Sequence, residues 1–354
     1  MTSPRPIRVL VVDDSALARQ AITQALSGDP AIEVVGVAPD AYVAREKILQ
    51  LSPDMITLDL EMPRMDGLTF LRILQQHHPL PVLVVSSLTP QGSAKAMEAL
   101  EAGAVDVLGK PNGSQTLGEL AYQLAFHVKA VARSRRIASL ARPAGATVAP
   151  PREPLPCSPI APRRIVLIGA STGGVEALRY LLPRLPSGLP PIAVVQHIPA
   201  QFSRIMADNL AKLCAFEVRE ATDGEELRNG LCLIAPGNHH LALVPSPRGY
   251  RTRLTQSPPI HHCRPAVDVL FRSGAEHAGR NAVGLLMTGM GSDGARGLLA
   301  MRQAGARTLA QDEESCVVFG MPQAAIKMEA VERVVNLQAM PQVLLQTLAE
   351  PVTP

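Results

Sequence analysis

The sequence predicts an α/β protein of two doubly wound parallel-sheet domains, an N-terminal (βα)5 unit and a C-terminal Rossmann-like unit with a hairpin. Three observations predict it. The chain has 354 residues, more than the roughly 100 to 200 of an average domain. Short apolar runs alternate with segments of helical period in two separate stretches, as βα units do. Between these stretches lies a proline-rich segment that can continue neither a helix nor a central strand.

In the first stretch the apolar runs 7–12, 32–37, 55–58, 82–85 and 105–108 are the expected strands. Residues 16–26, 41–51, 68–76, 92–102 and 117–131 carry apolar side chains three and four apart, the pattern of amphipathic helices. Residues 1–126 are therefore assigned to the first domain. Seven prolines follow, Pro143, Pro150, Pro151, Pro154, Pro156, Pro159 and Pro162, so residues 127–163 read as a helix end and an extended linker.

Residues 164–354 form the second expected domain. Its strands are the apolar runs 165–168, 192–195, 231–235, 282–288 and 308–310. Residues 241–254 contain Pro245, Pro247 and Gly249 between apolar stretches and read as an antiparallel hairpin.

Composition narrows the function. The chain is 47% hydrophobic and 18% charged with a net charge of +3, and its basic run Arg133, Arg135, Arg136 is short, so a nucleic-acid-binding surface is not expected. The five cysteines, Cys157, Cys214, Cys232, Cys263 and Cys316, show no C-x-x-C spacing, which disfavours a disulfide framework or a thiolate zinc site and fits a reducing cytoplasm. The first apolar run ends at Asp13 and Asp14, and no later run reaches membrane-spanning length, so membrane insertion is not expected.

Functional groups in an open α/β sheet gather beyond the carboxyl ends of the strands. There the first domain carries Asp13, Asp14, Asp59 and Lys110. Converging carboxylates need a cation, and hard oxygen donors suit Mg2+. A carboxylate beside Mg2+ can attack a phosphoryl donor; Asp59, alone at the end of the middle strand, is best placed. The competing reading makes Asp13 and Asp14 helix caps and Asp59 the start of a turn through Pro63 and Gly67.

The segments Val-Val-Asp-Asp-Ser at 11–15, Leu-Asp-Leu-Glu-Met-Pro-Arg-Met-Asp-Gly at 58–67, Val-Ser-Ser at 85–87 and Gly-Lys-Pro at 109–111 resemble the response-regulator receiver family. The resemblance implies that Asp59 accepts phosphate from a histidine kinase. It also implies that Asp13, Asp14, Asp59 and the Glu61 main-chain carbonyl hold Mg2+, and that Ser86 and Lys110 carry the phosphorylation signal. Val107 departs from the family, many members of which have a reorienting aromatic residue there.

In the second domain the first strand runs into Gly169-Ala170-Ser171-Thr172-Gly173, the G-x-S-x-G pattern of an exposed nucleophilic serine. A plain helix start or a phosphate cradle would use the same glycines. A nucleophilic serine needs a base held by a third group. His197 follows a strand and precedes Pro199, whereas His239-His240, His261-His262 and His277 lack that placement. Asp293 lies in a glycine-rich turn after the strand 282–288; Asp268 and Asp312 compete, Asp268 being explained by the helix after Pro265. The order Ser, His, Asp differs from that of α/β hydrolases.

The segments 168–174, 196–199, 264–271 and 288–294, Ile-Gly-Ala-Ser-Thr-Gly-Gly, Gln-His-Ile-Pro, Arg-Pro-Ala-Val-Asp-Val-Leu-Phe and Thr-Gly-Met-Gly-Ser-Asp-Gly, are similar to the catalytic domain of chemotaxis methylesterases. With the receiver in front, the chain resembles the CheB-type protein-glutamate methylesterases. The resemblance implies a cytoplasmic, phosphorylation-activated esterase, needing no cofactor for hydrolysis, that demethylates chemoreceptor glutamyl esters and deamidates selected glutamines. It implies Ser171 as nucleophile, His197 as base and acid, Asp293 as orienting group, and the Thr172 and Met290 N–H groups as oxyanion hole. Two rivals are a receiver joined to a transcription-factor module, against which the missing helix-turn-helix speaks, and one joined to a nucleotide-binding domain, for which no G-x-x-x-x-G-K-[ST] is present.

Overall fold

The computed structural model describes residues 5–86, 89–110, 117–133 and 163–352. The described residues fall into two compact units. The expected linker prolines lie outside the described residues.

The N-terminal unit alternates strands β1 (Ile7–Val12), β2 (Ile32–Ala38), β3 (Met55–Leu58), β4 (Val82–Ser86) and β5 (Asp106–Gly109) with helices α1 (Ala16–Ser27), α2 (Ala41–Leu51), α3 (Gly67–His77), α4 (Pro90–Glu101) and α5 (Leu117–Arg133). The sheet is parallel in the order β2-β1-β3-β4-β5, so β1, β3 and β5 all end on one edge. β3 and β4 are buried at every position, as expected of strands covered on both faces. Short polar side chains start the helices: Ser15, Asp40, Asp66 and Thr89 each accept a backbone N–H from the first turn that follows. Ser15, rather than Asp13 or Asp14, caps α1. Gly67 is required by contact: a Cβ there would lie 2.0 Å from the Asp59 carbonyl oxygen.

The C-terminal unit has a second sheet, of β6 (Ile165–Ala170), β7 (Ile192–Gln196), β8 (Glu217–Glu220), β9 (Leu231–Ile234), β12 (Ala282–Leu286), β13 (Arg307–Gln311) and β14 (Arg333–Val335). The intervening β10 (His240–Ser246) and β11 (Gly249–Thr255) form the expected antiparallel hairpin. The sheet order is β14-β13-β12-β6-β7-β9-β8 and every pairing is parallel. Helices α6 (Gly174–Leu181), α7 (Ala200–Ala211), α8 (Val267–His277), α9 (Ala295–Gln303), α10 (Met321–Lys327) and α11 (Met340–Ala349) complete the unit.

One core of this unit joins Leu167, Val195, Leu233 and Leu286 of the strands to Phe271 of α8 and Leu298 of α9, all wholly buried. Each such side chain stabilises the fold by roughly 1.5–3 kcal/mol relative to exposure. Two strands were not expected from the sequence: β8, which has the charged edge composition Glu-Val-Arg-Glu, and β14, which is only three residues long. Among the described residues no helix is long and apolar enough to cross a membrane.

Candidate active site and phosphorylation site

In the N-terminal unit, Asp13 follows β1 and Asp59 follows β3, and both are 1% exposed. β1 and β3 are neighbours, so carboxylate oxygens of Asp13, Asp14 and Asp59 lie within 4.8 Å of one another. That donor set, three carboxylates without nitrogen or sulfur, fits a hard divalent cation.

Lys110, just after β5, reaches across to Asp13 Oδ2 at 2.9 Å and Asp59 Oδ2 at 2.8 Å. Burial raises the Asp59 carboxyl above its ordinary value; the Lys110 ammonium opposes this, and the Asp13 charge adds to it. Lys110 is lowered by burial but raised further by its two carboxylate bonds, leaving it above its ordinary value.

Ser86 is fully buried at the end of β4. Its hydroxyl donates to the Gly92 carbonyl at 3.4 Å, and its own carbonyl accepts the Lys110 N–H at 2.7 Å. Glu61 lies exposed two residues beyond Asp59. Val107 is buried in β5 opposite Val84. Arg19, not singled out from the sequence, donates to the carbonyls of Asp13 at 2.7 Å and Asp14 at 3.0 Å and steadies that turn.

In the C-terminal unit the three candidate residues follow three adjacent strands. β6 delivers Ser171, β7 delivers His197, and the loop after β12 delivers Asp293. The Ser171 turn is tight because its glycines are crowded. Gly173 has φ +78°, where a Cβ would lie 2.5 Å from Val317, and a Cβ on Gly174 would lie 2.2 Å from Gln196 Oε1. Ser171 N–H donates to the Thr288 carbonyl at 3.0 Å, and His197 N–H to the Ala170 carbonyl at 3.0 Å.

Asp293 is 2% exposed, and its Oδ2 lies 2.8 Å from His197 Nε2. Three N–H groups hold this carboxylate: Val267 at 2.7 Å, and Asp268 and Gly294 at 2.9 Å each. Burial raises its pKa, but the His197 bond and charge and the N–H donors lower it more, leaving it below its ordinary value. The other His197 nitrogen, Nδ1, lies 3.6 Å from Cys263 Sγ. Burial lowers the His197 pKa, yet Cys263 and Asp293 together raise it well above the ordinary value.

Ser171, 4% exposed, is tied to this pair through its backbone: Gln196 Nε2 donates to the Ser171 carbonyl at 2.8 Å and to the His197 carbonyl at 3.0 Å. The backbone just before Met290 passes close to the serine, since a Cβ on Gly289 would lie 2.7 Å from Ser171 Cβ. Thr172 is 1% exposed, and its carbonyl accepts the Thr288 hydroxyl at 3.0 Å.

The remaining candidates have other partners. His240 is wholly buried; its Nδ1 accepts the Ala266 N–H at 3.1 Å and its Nε2 faces the Pro258 carbonyl at 3.2 Å, a satisfied core histidine. Asp268 stands in the first turn of α8, the helix after Pro265 that was expected to account for it. Ala266 holds the cap position without a side-chain bond, while Asp268 Oδ1 accepts the Gly297 N–H of α9 at 2.7 Å and Oδ2 lies 3.3 Å from His261 Nε2. Asp312 accepts from Ser315 and Asn336. Gln196 and Cys263 were missed as members of the site; Gln196 stands beside His197 in the quoted motif, and that adjacency was the available signal.

The sequence matches the CheB methylesterase family over residues 166–344 and the response regulator receiver domain over residues 9–121. It is 49% identical over 336 residues to protein-glutamate methylesterase/protein-glutamine glutaminase 2 of Syntrophus aciditrophicus, covering 94% of this chain and 97% of that protein. It is 50% identical over 355 residues to protein-glutamate methylesterase/protein-glutamine glutaminase 5 of Anaeromyxobacter dehalogenans, covering 98% of each. Among solved structures, the CheB methylesterase catalytic domain of Thermotoga maritima is 38% identical with a TM-score of 0.51, covering 52% of this chain and 97% of that one. Matched in both of its units and along nearly its whole length, the chain belongs to the CheB methylesterase family, in the form that carries an N-terminal receiver domain.

Proposed function

We propose that this chain is a phosphorylation-activated serine esterase that demethylates glutamyl methyl esters of chemoreceptors and deamidates selected glutamines, in the cytoplasm. The observation that carries the reading is the 2.8 Å contact of His197 Nε2 with the buried Asp293 carboxylate, one strand from Ser171.

Because Asp293 engages Nε2, Nδ1 is the nitrogen that takes the Ser171 proton. Ser171 Oγ attacks the ester carbonyl, and the N–H groups of Thr172 and Met290 meet the developing oxyanion. His197 returns the proton to the departing methoxide, which leaves as methanol. Water, deprotonated by the same nitrogen, then opens the acyl-serine to glutamate. With a glutamine substrate the leaving group is ammonia and the intermediate is the same.

In the receiver unit, Asp59 accepts the phosphoryl group from a histidine kinase. Asp13, Asp14, Asp59 and the Glu61 carbonyl would hold Mg2+, which would offset charge on the transferred group. Lys110 pairs with the phosphorylated Asp59, and Ser86 and Lys110 relay the change.

The test is methanol release from methylated chemoreceptor membranes, with and without a small-molecule phosphodonor and Mg2+. Release that the phosphodonor stimulates is expected. Absence of release with every receptor tried would overturn the esterase reading, and release indifferent to the phosphodonor would overturn the switch.

A further inference from the structure

We propose that His197 Nδ1 and Cys263 Sγ form a binding site for a thiophilic divalent cation of the Zn2+ class, and that its occupation switches the esterase off. The inhibitory consequence rests on the reading of His197 as the general base; the binding itself does not.

The spacing is that of two ligands of one ion. A tetrahedral Zn2+ with Zn–S near 2.3 Å and Zn–N near 2.0 Å separates its sulfur and nitrogen ligands by about 3.5 Å. Cys263 Sγ and His197 Nδ1 stand 3.6 Å apart.

The second requirement is a lone pair on the correct nitrogen. Asp293 engages Nε2 at 2.8 Å and is itself fixed by the Val267, Asp268 and Gly294 N–H groups. In the neutral ring this keeps the proton on Nε2 and turns the Nδ1 lone pair toward the thiol, the carboxylate–histidine arrangement that supports zinc ligands. Asp293 thus orients the ligand.

Both ligand side chains are only partly buried, so water can complete the coordination. The thiol releases its proton to solvent as the S–Zn bond forms. A thiolate and an imidazole select zinc over Mg2+, so the site is chemically distinct from the all-carboxylate cluster of Asp13, Asp14 and Asp59. A neighbouring cluster of His261, Asp268 and Asp293 is the weaker candidate, because backbone N–H groups already engage both of its carboxylates.

Inhibition follows because one lone pair cannot serve two purposes. An ion on Nδ1 occupies the position from which the Ser171 proton is taken.

The experiment uses the full chain carrying Ser171→Ala, so that binding is read without turnover, in buffer with excess Mg2+ to fill the receiver cluster. Zn2+ is titrated against a chromogenic chelator, and alkylation of Cys263 by iodoacetamide is followed by peptide mass spectrometry. One equivalent of Zn2+ is expected, weakened about tenfold or more by Cys263→Ser and unchanged by Asp59→Asn, with Cys263 protected from alkylation while zinc is bound. An unaltered zinc affinity in Cys263→Ser, or alkylation that zinc does not slow, overturns the proposal. In the unsubstituted protein, methanol release should stop with Zn2+ and return with chelator. If zinc binds at Cys263 and the protein releases no methanol under any condition, the esterase reading falls and the metal site stands.

Discussion

The side-chain amide of Gln196 bridges Ser171 to the start of the next loop: Nε2 donates to the Ser171 carbonyl at 2.8 Å and also to the His197 carbonyl at 3.0 Å. One buried amide therefore ties together the main chains of the two residues proposed to exchange a proton. Gln196→Met keeps the volume and removes the donor; the Ser171 carbonyl keeps the Gly174 N–H at 2.7 Å, while the His197 carbonyl loses its partner at a cost of about 1–3 kcal/mol. Methanol release should fall about 100-fold at saturating substrate while the urea midpoint moves only modestly. A purely structural role would lower stability and leave turnover per folded molecule unchanged.

Asp293→Asn replaces the orienting carboxylate with a group that no longer stabilises an imidazolium. A fall in turnover of about 10⁴-fold is expected by comparison with orienting aspartates in other serine hydrolases. Circular dichroism should show the fold retained, and steady-state methanol release measures the loss.

The acid limb of the pH–rate profile should lie above pH 6.5, the ordinary histidine value, because Cys263 and Asp293 raise His197 well beyond it. Catalysis needs the neutral ring, so activity grows as pH rises through the raised value. Cys263→Ser removes one of the raising groups, and the limb should move toward lower pH. For stability the sign is opposite. A histidine raised on folding stabilises fully below its unfolded pKa, and this contribution is lost as pH rises through the folded one. Urea midpoints measured across that window check this.

Asp59→Asn should abolish phosphodonor stimulation of methanol release. Its stability effect has a definite direction. Burial leaves the Asp59 carboxyl above its ordinary value despite Lys110, so its charge opposes folding above the unfolded carboxylate pKa. The receiver unit of the variant should therefore unfold at a higher urea concentration at neutral pH.

Gly67→Ala should cost about 1–3 kcal/mol or more, since the new methyl would stand 2.0 Å from the Asp59 carbonyl oxygen. Displacing that carbonyl shifts the phosphoacceptor turn, so phosphorylation by a small-molecule donor should slow as well.

The strands that carry the sites were legible because parallel strands buried on both faces read as unbroken apolar runs: Ile165–Ala170 and Ile192–Gln196 are buried throughout. Edge strand β8 was not, because Glu217, Arg219 and Glu220 face solvent or half-buried positions and interrupt the run. Ser171, His197 and Asp293 could be singled out because each stands in a loop after a strand. Gln196, Cys263 and Asp268 act through contacts with residues far along the chain, such as Cys263 with His197 and Asp268 with Gly297. Neither period nor spacing encodes such pairings.

The order β12-β6-β7 at the centre of the second sheet also governs when reactivity can arise during synthesis. The strand bearing Ser171 is made first, and β7 can join it at once, but its other flank waits for β12, more than a hundred residues later in the chain. A nascent or truncated polypeptide ending before that point holds the serine and the histidine but lacks the Asp293 carboxylate that meets the ring at 2.8 Å. On the proposed reading, incomplete products are hydrolytically silent, and esterase reactivity arises only once the middle of the sheet is filled from both sides.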